Sequence, residues 1–178
     1  MPVALLVLCL AAPAAAAPPD MERGLAGVVD RFYDMDFDGA RAAADALIAR
    51  RPGHPAGPFY RGVSTYQRWI AEGMNSTDTY RDFEADSRAA EAAANALLAS
   101  SPAEAHYYLG ATLGFRSRAN AARKRFFRAL PDGAAALKHL KKALALDPSL
   151  SDARLGMGMY HYFAARMPAG AKPLAYLL

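Results

Sequence analysis

Thiol chemistry is all but missing from this chain. Of 178 residues one is cysteine, Cys9, and it lies in an uncharged apolar stretch at the start. If that stretch is removed, neither a disulfide nor a cysteine nucleophile remains. Charge is missing there too, since residues 1–19 hold no Lys, Arg, Asp or Glu. Val3 to Ala17 is apolar, but its 15 residues fall short of the roughly 20 that a membrane-spanning helix needs. Ala15 to Ala17 offers small residues for cleavage, and Pro18-Pro19-Asp20 then breaks the run. Residues 1–19 therefore read as a secretory signal peptide, although no Lys or Arg follows Met1. Leu8 stands where a lipoprotein signal needs a small residue, which argues against a lipid anchor. No later segment approaches spanning length, and none alternates with period two between hairpin turns, so no sheet is expected. A Gly-rich phosphate loop is absent, and no nucleophile–base pair can be argued from spacing. The chain is therefore expected to have no catalytic residues and to bind no cofactor or metal. The net charge of +4 belongs to the remainder and does not by itself imply nucleic acid.

What is present is a pattern that occurs three times. Ala40 to Pro52 reads ARAAADALIARRP, Ala90 to Pro102 reads AEAAANALLASSP, and Ala136 to Pro148 reads ALKHLKKALALDP. Small or apolar residues recur at steps of four and three: Ala40, Ala44 and Leu47; Ala90, Ala94 and Leu97; Ala136, Leu140 and Ala143. Those steps fall on one helix face, where alanine lets a neighbouring helix come close. The proline five residues later ends each helix, because the residue before it is pushed out of the α region. A fixed internal period implies a stacked architecture. The expected fold is all-α: antiparallel helix hairpins in a solenoid, with units at about 21–52, 56–102, 103–148 and 149–178, the last incomplete.

Between the motifs the spacing predicts further helices over Met21–Tyr33, Phe59–Glu72, Glu104 to about Ala121 and Leu150–Met167. Asp38 is placed to cap the first motif helix, and Ser76 or Thr77 the second, over Tyr80–Ala99. The helix from Glu104 can run on through a basic stretch to Leu130, with Pro131-Asp132-Gly133 restarting the chain. Leu174, Ala175, Leu177 and Leu178 look like an apolar helix start, and suggest either a longer native chain or self-association through this end.

On these residues the chain resembles the tetratricopeptide-repeat (TPR) family from Met21 to Leu178. Leu109-Gly110 and Met157-Gly158 match the leucine–glycine step of that family's first helix, with Gly62 as a third copy. The three motifs match its second helix, and Asp147-Pro148 followed by Asp152-Ala153 is typical. Gly62 and Ala90, like Gly110 and Ala136, lie farther apart than the family's about 12 residues, so longer helices or inserted segments are expected. The end of the chain is similar to exported bacterial TPR proteins and, less closely, to eukaryotic inclusion-body-clearance proteins. That resemblance implies a periplasmic or envelope-associated, non-enzymatic scaffold. It would hold a peptide or protein in a groove lined by the first helices. Counted from the three glycines, the groove positions are Phe59, Val63, Tyr66 and Gln67; Tyr107, Ala111 and Phe115; and Leu155, Met159, Tyr162 and Phe163. The alternatives are a ligand-binding accessory component of an envelope transport or assembly complex, and a helical-scaffold enzyme. Ionisable groups converging in one deep pocket would favour these.

Three other features were weighed. Asp34, Asp36, Asp38, Gly39 and Asp45 match a calcium-loop pattern, but Arg41 stands at its normally apolar position and Asp45 belongs to a motif helix. The expected reading is a solvated turn. Arg116, Arg118, Arg123, Lys124, Arg125 and Arg128 put six positive charges in 13 residues around Phe126 and Phe127. They are either a solvated face or a contact for an acidic protein or an anionic membrane surface; export disfavours nucleic acid. His54, His106, His139 and His161 lack the spacing of a zinc site.

Overall fold

The computed structural model describes residues 19–166. The predicted signal peptide up to Pro18, and the apolar stretch Leu174 to Leu178, lie outside these residues. The described chain is all helical: α1 (Pro19–Tyr33), α2 (Phe37–Arg50), α3 (Ala56–Ala71), α4 (Thr77–Leu97), α5 (Pro102–Ala122), α6 (Phe126–Leu146) and α7 (Ser151–Ala165). Consecutive helices pack as antiparallel hairpins. The backbones of the odd-numbered helices also approach one another, α1 to α3, α3 to α5 and α5 to α7, whereas those of α2, α4 and α6 stay apart. The odd helices thus form a continuous inner layer and the even helices fan outside it.

The motif alanines explain why the hairpins close. Ala40, Ala44, Ala90, Ala94 and Ala143 have no exposed surface, and Leu47, Ala136 and Leu140 almost none. Glycine supplies the matching close approach. A Cβ on Gly110 would lie 2.7 Å from Leu140 Cγ, and one on Gly24 would lie 2.5 Å from Leu47 Cδ2. Gly24 is the glycine of the first hairpin, which the repeat pattern alone did not single out. The long intervals after Gly62 and Gly110 are filled by helix length, since α4, α5 and α6 each run 21 residues.

The turn inside each hairpin is built the same way three times. Asp36 N–H donates to Arg31 C=O, Met74 N–H to Trp69 C=O, and Arg125 N–H to Asn120 C=O, all at 2.8 Å. Met35, Gly73 and Lys124 donate one step inside those bonds and sit at φ 62°, 71° and 59°. This is the left-handed helix cap in which six residues close on themselves.

Two boundary expectations are corrected, at the start of α2 and the end of α5, and one is borne out, at the start of α4. Asp36, not Asp38, caps α2, its Oδ1 accepting from Gly39 N–H at 2.9 Å. Ser76 caps α4, accepting from Thr79 N–H. The break after α5 lies at Arg123–Arg125, not at Pro131. Pro131 sits inside α6, in its second turn, where it removes the one backbone donor that would bond the carbonyl of exposed Phe127. Asp132 and Gly133 stay helical because both are used against α5. Asp132 holds Arg116, and a Cβ on Gly133 would lie 3.0 Å from Ser117 Oγ.

Candidate binding face

The inner layer brings α3, α5 and α7 together, and two clusters form along it. At one end Tyr60 of α3 and Tyr107 of α5 lie near each other and close enough to Asp152 of α7 to feel its charge. Burial pushes both hydroxyls above the ordinary tyrosine range, and Asp152 adds to the effect. They stay protonated, so they can both donate and accept. At the other end the Arg118 guanidinium carbon lies 5.3 Å from the Tyr66 ring centre, 5.1 Å from Phe115 and 5.0 Å from Phe163. Arg118 makes no ion pair among the described residues. Three rings hold the cation, each contributing about 0.5–1 kcal/mol at a partly wet site, and its charge is left uncompensated.

The groove positions counted from the glycines divide on this frame. Phe59, Val63 and Tyr66 are core, a correction with a clear cause: α4 and α5 cover them. Phe59 stacks on Tyr108 and Phe115, and Tyr66 on Trp69 and Phe83. Gln67, Tyr107, Ala111, Phe115 and Met159 are half-buried, while Leu155, Tyr162 and Phe163 are exposed. Tyr60 and Asp152 were missed. Tyr60 lies one residue from Phe59 and so about 100° around the helix, and only packing reveals that this direction faces the inner layer.

The six basic residues do not act together. Arg116 faces inward and is taken by Asp132, through a two-pronged contact at 2.9 and 2.7 Å, and by Glu91 at 2.6 Å. Its assignment to an anionic surface is therefore overturned. Arg118 joins the aromatic cluster. Arg123, Lys124, Arg125 and Arg128 remain at the α5–α6 tip, with Arg123 4.1 Å from the Tyr80 ring centre.

The acids of the calcium-like pattern are separated as well. Asp38 pairs with Arg68 at 2.7 Å and Asp45 with Arg61 at 2.8 Å. Among the described residues no three His, Cys, Asp or Glu side chains are grouped as for a metal. His106 and His139 do meet, Nδ1 to Nδ1 at 2.9 Å, a pairing that a separation of 33 residues conceals.

Outside the inner layer, Phe37, Arg41, Thr65, Arg68, Thr79 and Asp82 help to line a polar cavity of about 200 Å³. Its two arginines are already engaged. Arg41 reaches Thr65 at 2.6 Å and Asp86 at 3.2 Å, and Arg68 reaches Asp38 and Glu72. Asp86 is itself buried and also takes Arg61 Nε at 2.8 Å. Burial pushes its carboxyl up, and Arg61 and Arg41 pull it back. No described helix is long and apolar enough to cross a membrane. Comparison with family models, with curated proteins and with solved structures found no match.

Proposed function

We propose that this chain is a non-enzymatic scaffold that binds a peptide or protein segment along the face formed by α3, α5 and α7. One observation carries the reading: Arg118 is held among three rings on that face with no carboxylate to neutralise it. An uncompensated guanidinium in an aromatic setting suits an acidic side chain on a partner, with Tyr60 and Tyr107 offering hydrogen bonds farther along. The TPR resemblance supports the same use of first helices, and the apolar start supports an exported, envelope-associated setting. A ligand carrier or enzyme would have its place in the polar cavity near Arg41, but the arginines there are already satisfied by this chain's own acids. Capture of partners from the native envelope, followed by mass spectrometry, tests the proposal. Arg118→Glu should lose proteins that the unaltered chain retains while its helical circular dichroism is kept, the lost ring contacts lowering the melting temperature by several degrees. An unchanged set of captured proteins would refute the face as the binding site.

A further inference from the structure

The three hairpin tips stand side by side on one edge of the molecule. The first meets the second through the Arg68–Asp38 pair. The second meets the third where Arg123 lies over Tyr80. Each tip exposes two large apolar side chains: Tyr33 and Met35, then Ile70 and Met74, then Phe126 and Phe127, the last 94% exposed. One such residue on a surface is ordinary, but six in three adjacent turns form a patch.

Charge changes sign along the same edge. The first tip carries Asp30, Asp34, Asp36 and Asp38 against Arg31 alone. The third carries Arg123, Lys124, Arg125 and Arg128 and no acid. Neither those four cations nor Asp30 and Asp34 form an ion pair among the described residues. The middle tip is mixed, with Arg68 on Glu72 and Arg81 on Asp78.

We propose that this edge binds a second copy of the chain. Two copies would meet edge to edge about a twofold axis at the α3–α4 tip. The acidic tip of each then faces the basic tip of the other, and Met74 and Ile70 meet their own copies at the centre. A twofold contact requires that whatever i meets in j, j meets in i. An edge ordered acidic, mixed, basic meets that condition when the two copies run antiparallel, and clashes with itself when they run parallel. An anionic bilayer fits the edge less well. The basic tip with its two phenylalanines suits lipid headgroups, but the aspartates on the same edge would be brought toward like charge. This proposal is independent of the binding face on α3, α5 and α7, which lies on the sides of the helices rather than at their ends.

Sedimentation of the full chain between roughly 1 and 200 μM should show a monomer–dimer equilibrium that salt weakens, as a small, charge-steered interface implies. One variant reverses the sign of the basic tip by changing three of its four cations, Lys124→Glu, Arg125→Glu and Arg128→Glu. The other reverses the acidic tip, Asp30→Lys with Asp34→Lys. All five side chains are exposed and outside any described ion pair, so both variants should melt like the parent chain. Each alone should be monomeric. An equimolar mixture should dimerise, because both contacts then pair opposite signs. A parent chain that stays monomeric throughout, or a mixture that stays monomeric, overturns the proposal. So does self-association that survives both reversals, as it would if the apolar 3–17 stretch drove it. A monomer that binds phosphatidylserine vesicles but not phosphatidylcholine vesicles, and loses them on basic-tip reversal, assigns the tip to a membrane instead.

Discussion

The first helices α5 and α7 are cut to the same pattern and end up in different environments. Each has a buried alanine, Ala105 or Ala153, five residues before a glycine, Gly110 or Gly158. In α5 a Cβ on that glycine would run into Leu140; on Gly158 it would meet nothing within 4 Å among the described residues. Four residues past the glycine, α3 has Tyr66, which is 4% exposed, and α7 has Tyr162, which is 49% exposed. The reason is position. α5 packs against α3, α4, α6 and α7, whereas α7 packs against α5 and α6 alone among the described helices. In a stack of repeats the sequence marks which faces can be core, and the neighbours decide which faces become core.

The sharpest test of that contrast is to remove the same side chain at both places. Tyr66→Ala should destabilise the fold by about 3–5 kcal/mol, the usual cost of emptying a buried aromatic site. Tyr162→Ala should cost less than about 0.5 kcal/mol, as exposed substitutions do. Urea unfolding followed by circular dichroism measures both. Equal losses would break the comparison and mean that something covers α7.

Charge should behave as the rings do. Asp86→Ala leaves Arg41 and Arg61 facing a buried void, and should cost about 3 kcal/mol, the low end for a broken buried pair, because both arginines keep some solvent and Arg61 keeps Asp45. Asp152→Ala on exposed α7 should change stability by less than about 0.5 kcal/mol. The glycines should then differ in sign. Gly110→Ala should lose about 1–3 kcal/mol through overpacking against Leu140, whereas Gly158→Ala should gain up to about 1 kcal/mol from better helix propensity. A loss at Gly158 would show that its open side is occupied.

The hairpins, the motif faces and the capping role of Ser76 were legible because each rests on residues near in sequence with one strong preference. The third hairpin turn was not. Lys124 takes a left-handed backbone that glycine normally marks, and Pro131, which normally stops a helix, sits where it costs one bond. The proposed binding face was half legible. Spacing from the glycines named Tyr107, Phe115 and Phe163, which lie on that face, but it also named Phe59, Val63 and Tyr66, whose burial depends on helices far along the chain. The basic run misled for a related reason. A helix turns about 100° per residue, so Arg116 and Arg118 point to different neighbours, and the break at Lys124 detaches the rest.

The smallest expected effect concerns the histidines, which the stack again separates into two kinds. His106 and His139 face each other between α5 and α6, while His161 lies exposed on α7. A contact between two ring nitrogens needs one donor and one acceptor, so it fails when both rings become imidazolium and neither nitrogen can accept. Burial pushes both His106 and His139 below the ordinary value of 6.5; Lys142 adds to this for each, and Lys138 for His139, with Glu91 opposing. The unfolded chain therefore takes up protons more readily than the folded one as pH falls below about 6.5. The contribution of the pair to stability is complete above that pH and is lost as pH drops through the lowered values. Asp86, whose carboxyl is raised by burial, acts in the opposite direction, so the difference between variants is the informative quantity rather than the slope of one protein. Melting temperatures at pH 7.5 and 5.5 should fall less for His139→Gln than for the parent chain, with His161→Gln as the control. If His139→Gln keeps the parent's full pH dependence, the contact does not set it. A control that flattens as much as His139→Gln would place the sensitivity at the end of the stack instead of its centre.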